Sequence, residues 1–64
     1  MVKMTLAALR RNCKLTQAKA AKEIGVSPKT LSNWETGTTF PTQQHIEKMC
    51  ELYGVSYDNI NFDA

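Results

Sequence analysis

Apolar residues recur along this chain at the spacing of one side of an α-helix. The clearest run places Ile46, Met49, Cys50 and Tyr53 at positions i, i+3, i+4 and i+7. Because an α-helix turns once every ~3.6 residues, these four side chains share one face and predict a helix over about residues 43–53. Shorter stripes of the same kind occur earlier in the sequence. The pattern therefore favours helices that pack through a single apolar side.

Capping residues divide the chain into five predicted helices. Serine or threonine precedes each helix, where its oxygen can accept a hydrogen bond from a free N–H group, and glycine follows three of the helices. The predicted caps are Thr5, Thr16, Ser27, Thr42 and Ser56, and the stop residues are Gly25, Gly37 and Gly54. The first four helices are predicted over about 6–13, 17–24, 28–35 and 43–53, with a short fifth helix after Ser56. No strand is predicted, so the expected fold is an all-α, compact five-helix bundle in a single domain, residues 1–64.

The second and third predicted helices are joined by a tight turn at Gly25, which gives a helix-turn-helix over about residues 16–36. On the third helix, Leu31 and Trp34 are three positions apart and face inward. The side chains left on the opposite side are polar or basic: Lys29, Thr30 and Asn33. A short helix that is braced from behind and presents such side chains outward fits the major groove of DNA.

Charge is divided unevenly between the two halves of the chain. Residues 1–32 carry seven lysines and arginines and one glutamate, a net charge of +6, whereas residues 33–64 carry one lysine and five carboxylates, a net charge of −4. This polarity predicts one face that attracts a polyanion. The alternative is a solvated helical surface that happens to be basic. The candidates for long-range attraction are Arg11, Lys14, Lys19 and Lys22.

Other classes of protein find little support in the sequence. Cys13 and Cys50 are far apart and lack metal-ligand spacing, which fits a reducing, cytoplasmic setting and predicts no metal and no cofactor. No stretch approaches the ~20 apolar residues of a membrane span, and the N-terminus is too polar for a signal peptide. His45 and Cys50 are separated by about 500° of helical rotation and diverge, so His45 is expected to be a surface residue and no enzyme is predicted.

The residues described so far resemble a known family. The resemblance is carried by LTQAKAAKEIGVSPKTLSNWETG, followed by FPT and ELYGVSYDNI, and these segments are similar to the phage-repressor-like helix-turn-helix domains, the XRE or lambda-repressor-like family. It covers about residues 5–61 and implies that the third helix, about 28–35, reads DNA. By this resemblance the chain is expected to be a sequence-specific, double-stranded DNA-binding transcriptional regulator, a repressor encoded by a bacterium or phage.

The resemblance also implies roles for individual residues. Gln17 is expected to clamp a phosphate, and Arg10 and Glu35 are expected to form an ion pair that ties the first helix to the end of the third. The base-reading positions fall on Ser27, Lys29, Thr30 and Asn33. The sequence departs from the family at Ala20, where leucine is usual, and a neighbour such as Phe40 is expected to fill the space.

The proposed base-reading side chains have complementary chemistry. Lysine can donate to guanine O6 and N7, asparagine can pair bidentately with adenine, and the threonine methyl group can contact thymine. Two alternatives stay open at this point: Lys29 neutralises a phosphate only, or Asn33 simply faces solvent. Ser27 caps the third helix in either case.

Anchors for the DNA backbone are expected on both sides of the third helix. The start of the second helix offers free N–H groups to a phosphate, and the loop after the third helix leads to a second helix start. The predicted phosphate-binding residues are Gln17, Thr16, Lys14, Thr38, Thr39 and Gln43. If ~4–6 phosphates are neutralised per protomer, the affinity for DNA should fall steeply with salt.

A protein-interaction module, or an antitoxin-type partner with the same fold, is the competing hypothesis. Tyr53, Tyr57, Ile60 and Phe62 would form an apolar patch larger than a monomer usually exposes. The same C-terminal region would equally serve homodimerisation, which a palindromic operator requires. The basic first half of the chain favours DNA over a pure adaptor. No small-molecule effector and no membrane partner is implied.

Overall fold

The computed structural model describes residues 3–62 and contains four α-helices within that range. They are α1 (Leu6–Asn12), α2 (Gln17–Ile24), α3 (Pro28–Thr36) and α4 (Gln43–Tyr53). A single 3-10 turn spans Tyr57–Asn59, and two short strands, β1 (Met4–Thr5) and β2 (Ile60–Asn61), lie near the two ends of the chain. The helix α2 packs against both α3 and α4, and α1 packs against α3.

Three of the helices begin at side chains that cap their backbones. The hydroxyl groups of Thr5, Thr16 and Ser27 each accept a hydrogen bond from the backbone N–H three residues later, which satisfies a donor that has no partner inside the helix. The helix α2 ends at Gly25, whose φ of 95° lies in the left-handed region that glycine adopts without a Cβ clash. The predicted helix-turn-helix is therefore formed by α2, this turn and α3.

The core lies between the helices and is entirely apolar among the buried side chains of residues 3–62. Leu31 and Trp34 are buried on the inner side of α3, as the sequence predicted. The remaining members are Leu6, Leu9, Ala20, Ala21, Ile24, Ile46, Met49, Tyr53 and Ile60. Since α3 is covered from behind by this cluster, its opposite side is left for other contacts.

The prediction of five helices and no strand is wrong in its details. The segment after Ser56 makes one 3-10 turn of three residues instead of a fifth helix. The strands β1 and β2 pair in parallel, with Met4 opposite Ile60 and Thr5 opposite Asn61. A two-residue strand has no alternating pattern of its own, and its pairing joins parts of the chain that only the packed helices bring together.

Phe40 does not fill the space beside Ala20. Its side chain is 62% exposed, whereas the next residue, Pro41, is buried. Ala20 is fully buried, so the small side chain is enclosed by the core residues themselves. The loop after α3 therefore turns its proline inward and its phenylalanine outward.

The helices in the described part of the chain are too short and too polar for any of them to cross a membrane.

Candidate nucleic-acid interface

An ion pair joins α1 to the end of α3. Arg10 Nε lies 2.8 Å from Glu35 Oε2, and Arg10 Nη2 donates a longer bond of 3.4 Å to Glu35 Oε1. The two side chains are only 11% and 5% exposed. Because the two charges are largely removed from water, each depends on the other for compensation. The contact therefore fixes the position of the C-terminal end of α3.

The same carboxylate is also held from α2. Gln17 Nε2 donates a hydrogen bond of 3.0 Å to Glu35 Oε1. Gln17 is the first residue of α2 and is half-buried. This contact was not predicted from the sequence, because Gln17 and Glu35 belong to different helices and meet only when these pack together. In the present conformation the predicted phosphate clamp is engaged with a protein anion.

The turn between α1 and α2 is stabilised from Arg10 as well. Its Nη1 atom donates to the backbone carbonyl of Leu15 at 2.8 Å. Lys14, in the same turn, has a φ of 60°, the one positive value at a non-glycine residue between residues 3 and 62. The Lys14 side chain is exposed. Left-handed backbone is unfavourable for lysine, so the turn holds this residue at some conformational cost.

The start of α3 presents three of the predicted base-reading residues. Ser27 Oγ accepts from the backbone N–H of Thr30 at 3.2 Å and lies 2.9 Å from the Thr30 hydroxyl oxygen. Pro28 occupies the first turn, where its missing N–H group costs nothing. Lys29 is exposed, whereas Thr30 is half-buried. The hydroxyl pair thus has a local role in the helix start, and the Lys29 ammonium is free to reach outward.

Asn33 lies one helical turn beyond Lys29 on the same side of α3. Its side chain is half-exposed and makes no hydrogen bond to other described residues. Its backbone carbonyl, in contrast, accepts bonds from the N–H groups of Thr38 and Thr39 at 2.9 and 3.3 Å. The side-chain amide of Asn33 is therefore available to an external partner, while its backbone carbonyl is hydrogen-bonded to the following loop.

The loop after α3 brings exposed hydroxyl groups beside that side of the helix. Thr38 Oγ1 lies 3.0 Å from Thr36 Oγ1, and Thr38 and Thr39 are both exposed. Their backbone N–H groups are used by Asn33, so only their side chains remain available to a ligand. The structure thus brings the predicted loop residues next to α3.

The start of α4 lies next to the core residue Trp34. Thr42 precedes α4, but its side chain makes no capping bond to the backbone and instead pairs with His45 Nδ1 at 2.9 Å. The His45 ring in turn packs on Trp34, with ring centroids 5.0 Å apart. Gln43, the first residue of α4, is exposed. The first N–H groups of α4 are therefore left without a side-chain cap.

Two titratable groups outside this surface are perturbed by burial. Burial, reinforced by the nearby Glu35 carboxylate and opposed by Arg10, raises the pKa of Tyr53 to about 12. Burial also raises the pKa of the Cys50 thiol, and Glu47 adds to the effect. Both groups therefore stay neutral at ordinary pH, which favours a structural role for each.

Aromatic side chains gather at the end of the molecule formed by the loop after α3 and the C-terminal segment. The Phe62 ring packs on Phe40 and on Tyr57, at centroid distances of 4.9 and 5.7 Å. Phe40 and Tyr57 are 62% and 56% exposed, but Tyr53 and Ile60 are only 6% and 3% exposed. Tyr53 and Ile60 therefore belong to the core and not to the predicted apolar patch. We refer to Phe40, Tyr57 and Phe62 as the aromatic cluster.

No group of three or more metal-ligating side chains occurs in the range 3–62. A shallow depression between α2 and α4 is lined by Glu23, Lys48, Glu51 and Leu52. Cys13 and Cys50 are free thiols, both half-buried.

Comparisons with known proteins point to one family. A model of the helix-turn-helix family matches residues 6–60. The chain is 33% identical over 60 residues to the antitoxin PezA of Streptococcus pneumoniae, a match that covers 94% of this chain and 38% of PezA. It is 32% identical over 59 residues to the cryptic phage CTXphi transcriptional repressor RstR of Vibrio cholerae, covering 92% of this chain and 53% of RstR. The chain thus spans only part of the length of either relative, and no solved structure matches it.

Proposed function

The chain belongs to the phage-repressor-like, XRE-type helix-turn-helix family of DNA-binding regulators, and we propose that it binds duplex DNA in a sequence-specific manner through α3 and represses transcription. The observation that carries the proposal is the division of α3 into two sides. Leu31 and Trp34 are buried, whereas Lys29 and the unpaired amide of Asn33 lie on the outer side. A helix held in this way can enter the major groove without losing its place in the core.

Within this proposal, the two ends of the outer surface have different tasks. Asn33 has both an amide donor and an acceptor available, which is what bidentate pairing with adenine requires. Lys29 reaches outward from the first turn of α3 and donates either to guanine or to a phosphate. The hydroxyl groups of Ser27 and Thr30 are engaged with each other, so we expect them to contribute through the Thr30 methyl group and through capping.

The phosphate anchors are proposed on both sides of α3. Thr16 and Gln17 stand at the start of α2, with the exposed Lys14 before them. On the other side, the side chains of Thr38 and Thr39 are available in the loop, and Gln43 stands at the uncapped start of α4. Free N–H groups at a helix start can bind phosphate oxygens, so the starts of α2 and α4 support two phosphate-binding sites.

We further propose that two copies associate through the aromatic cluster, so that a near-symmetric operator is bound by a pair. This replaces the surface expected from the sequence, because Ile60 is buried and Phe40 takes its place. Phe40 and Tyr57 are both exposed and both pack on Phe62, so the aromatic cluster offers an apolar surface of the kind that marks protein interfaces. Such a pair would be a cytoplasmic repressor that acts by occupying its operator.

An antitoxin-type partner is the second candidate function. The observation in its favour is that PezA, named an antitoxin, is as similar to this chain as the repressor RstR. In that case a protein partner would occupy the aromatic cluster in place of the second copy, while α3 stays available for DNA. The uneven charge of the chain favours DNA binding as the first function.

Selection of bound sequences from a random pool of duplex DNA tests the proposal. We expect a short consensus to emerge, and we expect the affinity for it to fall with salt at a slope that corresponds to ~4–6 phosphates per protomer. Failure to enrich any sequence, together with no attraction to duplex DNA at low salt, would contradict the proposal. Enrichment without a consensus would instead indicate DNA binding that does not depend on sequence.

A further inference from the structure

Glu35 makes one contact that its ion pair with Arg10 does not require. Its Oε1 atom accepts a hydrogen bond of 3.0 Å from Gln17 Nε2, while Arg10 Nε binds the other carboxylate oxygen at 2.8 Å. A hydrogen bond to an ionised acceptor is stronger than one between neutral groups. The Glu35 side chain is only 5% exposed, so water has little access to compete for the carboxylate. The Gln17 amide is therefore held in place in the free protein.

This contact uses only part of the Gln17 amide. An amide nitrogen carries two N–H donors, and the amide oxygen is a separate acceptor. One N–H points to Glu35, whereas the second makes no hydrogen bond to another described residue. Because the amide group is planar, fixing the direction of one N–H also fixes the direction of the other. Gln17 is half-buried, so the remaining donor can still be reached from outside.

Gln17 stands at a helix start whose backbone donors are also free. It is the first residue of α2, and the Thr16 hydroxyl group caps only the backbone N–H of Lys19. The backbone N–H groups of Gln17 and Ala18 make no hydrogen bond within the described range. Neighbouring N–H donors at a helix start favour a phosphate oxygen. The Gln17 side chain can therefore add a donor to this group.

Arg10 prevents the Glu35 carboxylate from opposing such an anion. An unpaired carboxylate beside Gln17 would repel a phosphate, because like charges that lie close together are unfavourable. The Arg10 guanidinium group contacts both Glu35 oxygens, at 2.8 and 3.4 Å, and balances that charge. Glu35 can thus orient the Gln17 amide without repelling the phosphate.

We propose that Glu35 is a positioning residue for the phosphate contact of Gln17. The Arg10–Glu35 pair holds the amide in the free protein so that its second N–H is ready to donate to a phosphate oxygen. One buried carboxylate then fixes both the end of α3 and the backbone anchor on α2. The phosphate contact rests on the proposed function, whereas the hold of Glu35 on Gln17 does not depend on DNA.

A double-mutant cycle on DNA affinity tests the positioning role. Arg10→Met combined with Glu35→Leu removes the whole pair and leaves no buried charge without a partner. On a random-sequence duplex at low salt, Gln17→Ala should weaken binding about tenfold in the otherwise unmodified protein. In the background without the pair it should weaken binding less than about threefold, because a side chain that is not held must first be ordered. Equal losses in both backgrounds would overturn the proposal, since a general effect of the pair on α3 cancels in this comparison.

The hold on Gln17 can be measured without DNA from the motion of its side-chain amide. In the unmodified protein, the NMR order parameter of Gln17 Nε2 should approach the ~0.85 of a rigid backbone, whereas that of the exposed Gln44 amide should be below ~0.6. Removal of the pair should lower the value for Gln17 to that for Gln44. If the Gln17 amide of the unmodified protein is as mobile as the Gln44 amide, the proposal is overturned, whether or not the variant without the pair folds.

Gln44→Ala is the matched control in the affinity cycle. Gln44 is exposed on α4, and its side chain makes no hydrogen bond to another described residue. It should show no coupling to the pair, and coupling of the same size as for Gln17 would overturn the specific role of Gln17. If the unmodified protein fails to bind any duplex, the proposed function fails and the phosphate contact fails with it. The order parameter then still shows whether Glu35 holds Gln17.

Discussion

Arg10 and Glu35 are 25 positions apart in the sequence, yet their side chains meet at 2.8 Å and exclude most of the surrounding water. The guanidinium group contacts both carboxylate oxygens and also donates to the carbonyl of Leu15. One arginine thus holds the end of α3 and the turn before α2. The orientation of the proposed DNA-reading helix depends on this pair.

Removal of Arg10 should therefore be costly. Arg10→Ala leaves the buried Glu35 charge without its main partner, and we expect a loss of about 3–5 kcal/mol in the free energy of unfolding. Urea denaturation at neutral pH measures it. Arg11→Ala is the matched control, because Arg11 is the exposed neighbour and should change stability by less than about 0.5 kcal/mol. Equal effects of the two substitutions would contradict the structural role of the pair.

Substitutions at Asn33 and Lys29 should separate base recognition from phosphate attraction. Asn33→Ala should relax the preference for one base pair by about 1–3 kcal/mol, measured by selection from random duplexes. Lys29→Ala should likewise relax the preference for one base pair if Lys29 contacts guanine. If it contacts only a phosphate, the salt slope should decrease by about one with the consensus unchanged.

Lys48→Ala is the control for this pair of variants, because Lys48 is a basic residue on α4 that lines the depression with Glu23 and Glu51 and does not belong to α3. It should leave the selected consensus unchanged. An Asn33→Ala protein that selects the same sequences as the unmodified chain would remove Asn33 from the base-reading set.

Lys14 should show opposite effects on stability and on DNA affinity. Lys14→Gly relieves the left-handed backbone at φ 60° and should raise the free energy of unfolding by about 0.5–1 kcal/mol. It also removes a positive charge and should weaken duplex binding. Lys14→Ala loses the same charge but keeps the strain, so it should weaken binding without the gain in stability. A gain of equal size for alanine would show that the charge, and not the backbone, was unfavourable.

Tyr53 should make the protein less stable at alkaline pH. Its pKa is about 12 in the folded protein and 10.0 ordinarily, so the unfolded chain releases this proton first as the pH rises. The contribution of Tyr53 to the free energy of unfolding is fully present below about pH 10. It is lost progressively towards pH 12, at up to ~1.4 kcal/mol per pH unit. Urea unfolding between pH 9 and 12 measures the decline.

Two variants isolate this contribution from the other groups that titrate in the alkaline range. Tyr53→Phe should have a shallower decline than the unmodified protein, while Tyr57→Phe should retain it. Equal slopes for the unmodified protein and Tyr53→Phe would mean that the phenol is not shielded in the folded state.

Association through the aromatic cluster should depend on Phe40. Phe40→Ser removes the ring that packs on Phe62, and we expect the dissociation constant of the dimer to rise by about tenfold or more. Light scattering over a range of concentrations measures it. Gln44→Ser, an exposed change on α4, should have no effect. A chain that stays monomeric at all concentrations would contradict the proposed pair.

The features that could be predicted best from the sequence are those that depend on residues close together in the chain. A threonine or serine hydroxyl group can cap a helix start, as Thr16 and Ser27 do, and glycine readily adopts the left-handed backbone that ends a helix at Gly25. The bounds of α2 and α3 could therefore be predicted closely from the sequence. The buried pair Leu31 and Trp34 followed from helical spacing alone. The residues on the outer side of α3 could then be predicted as those that do not face the core.

The parts that could not be predicted depend on contacts between distant residues. Gln17 donates to Glu35, and Phe40 points away from the core towards Phe62, because of how separate elements meet in space. Ile60 was expected on a surface, but its side chain lies in the core and its backbone pairs with Met4. Neither spacing nor capping chemistry contains that information.

The pairing of β1 with β2 has a consequence for the order of folding. Met4 and Ile60 are separated by nearly the whole chain, so closing this ladder early would require a large loss of chain entropy for very few bonds. The helices, whose hydrogen bonds are local, can form and collapse first, and the ladder then closes last. The amide protons of β1 and β2 should accordingly exchange with solvent sooner than those of the buried helices. We therefore expect this strand pair to open first when the protein unfolds locally.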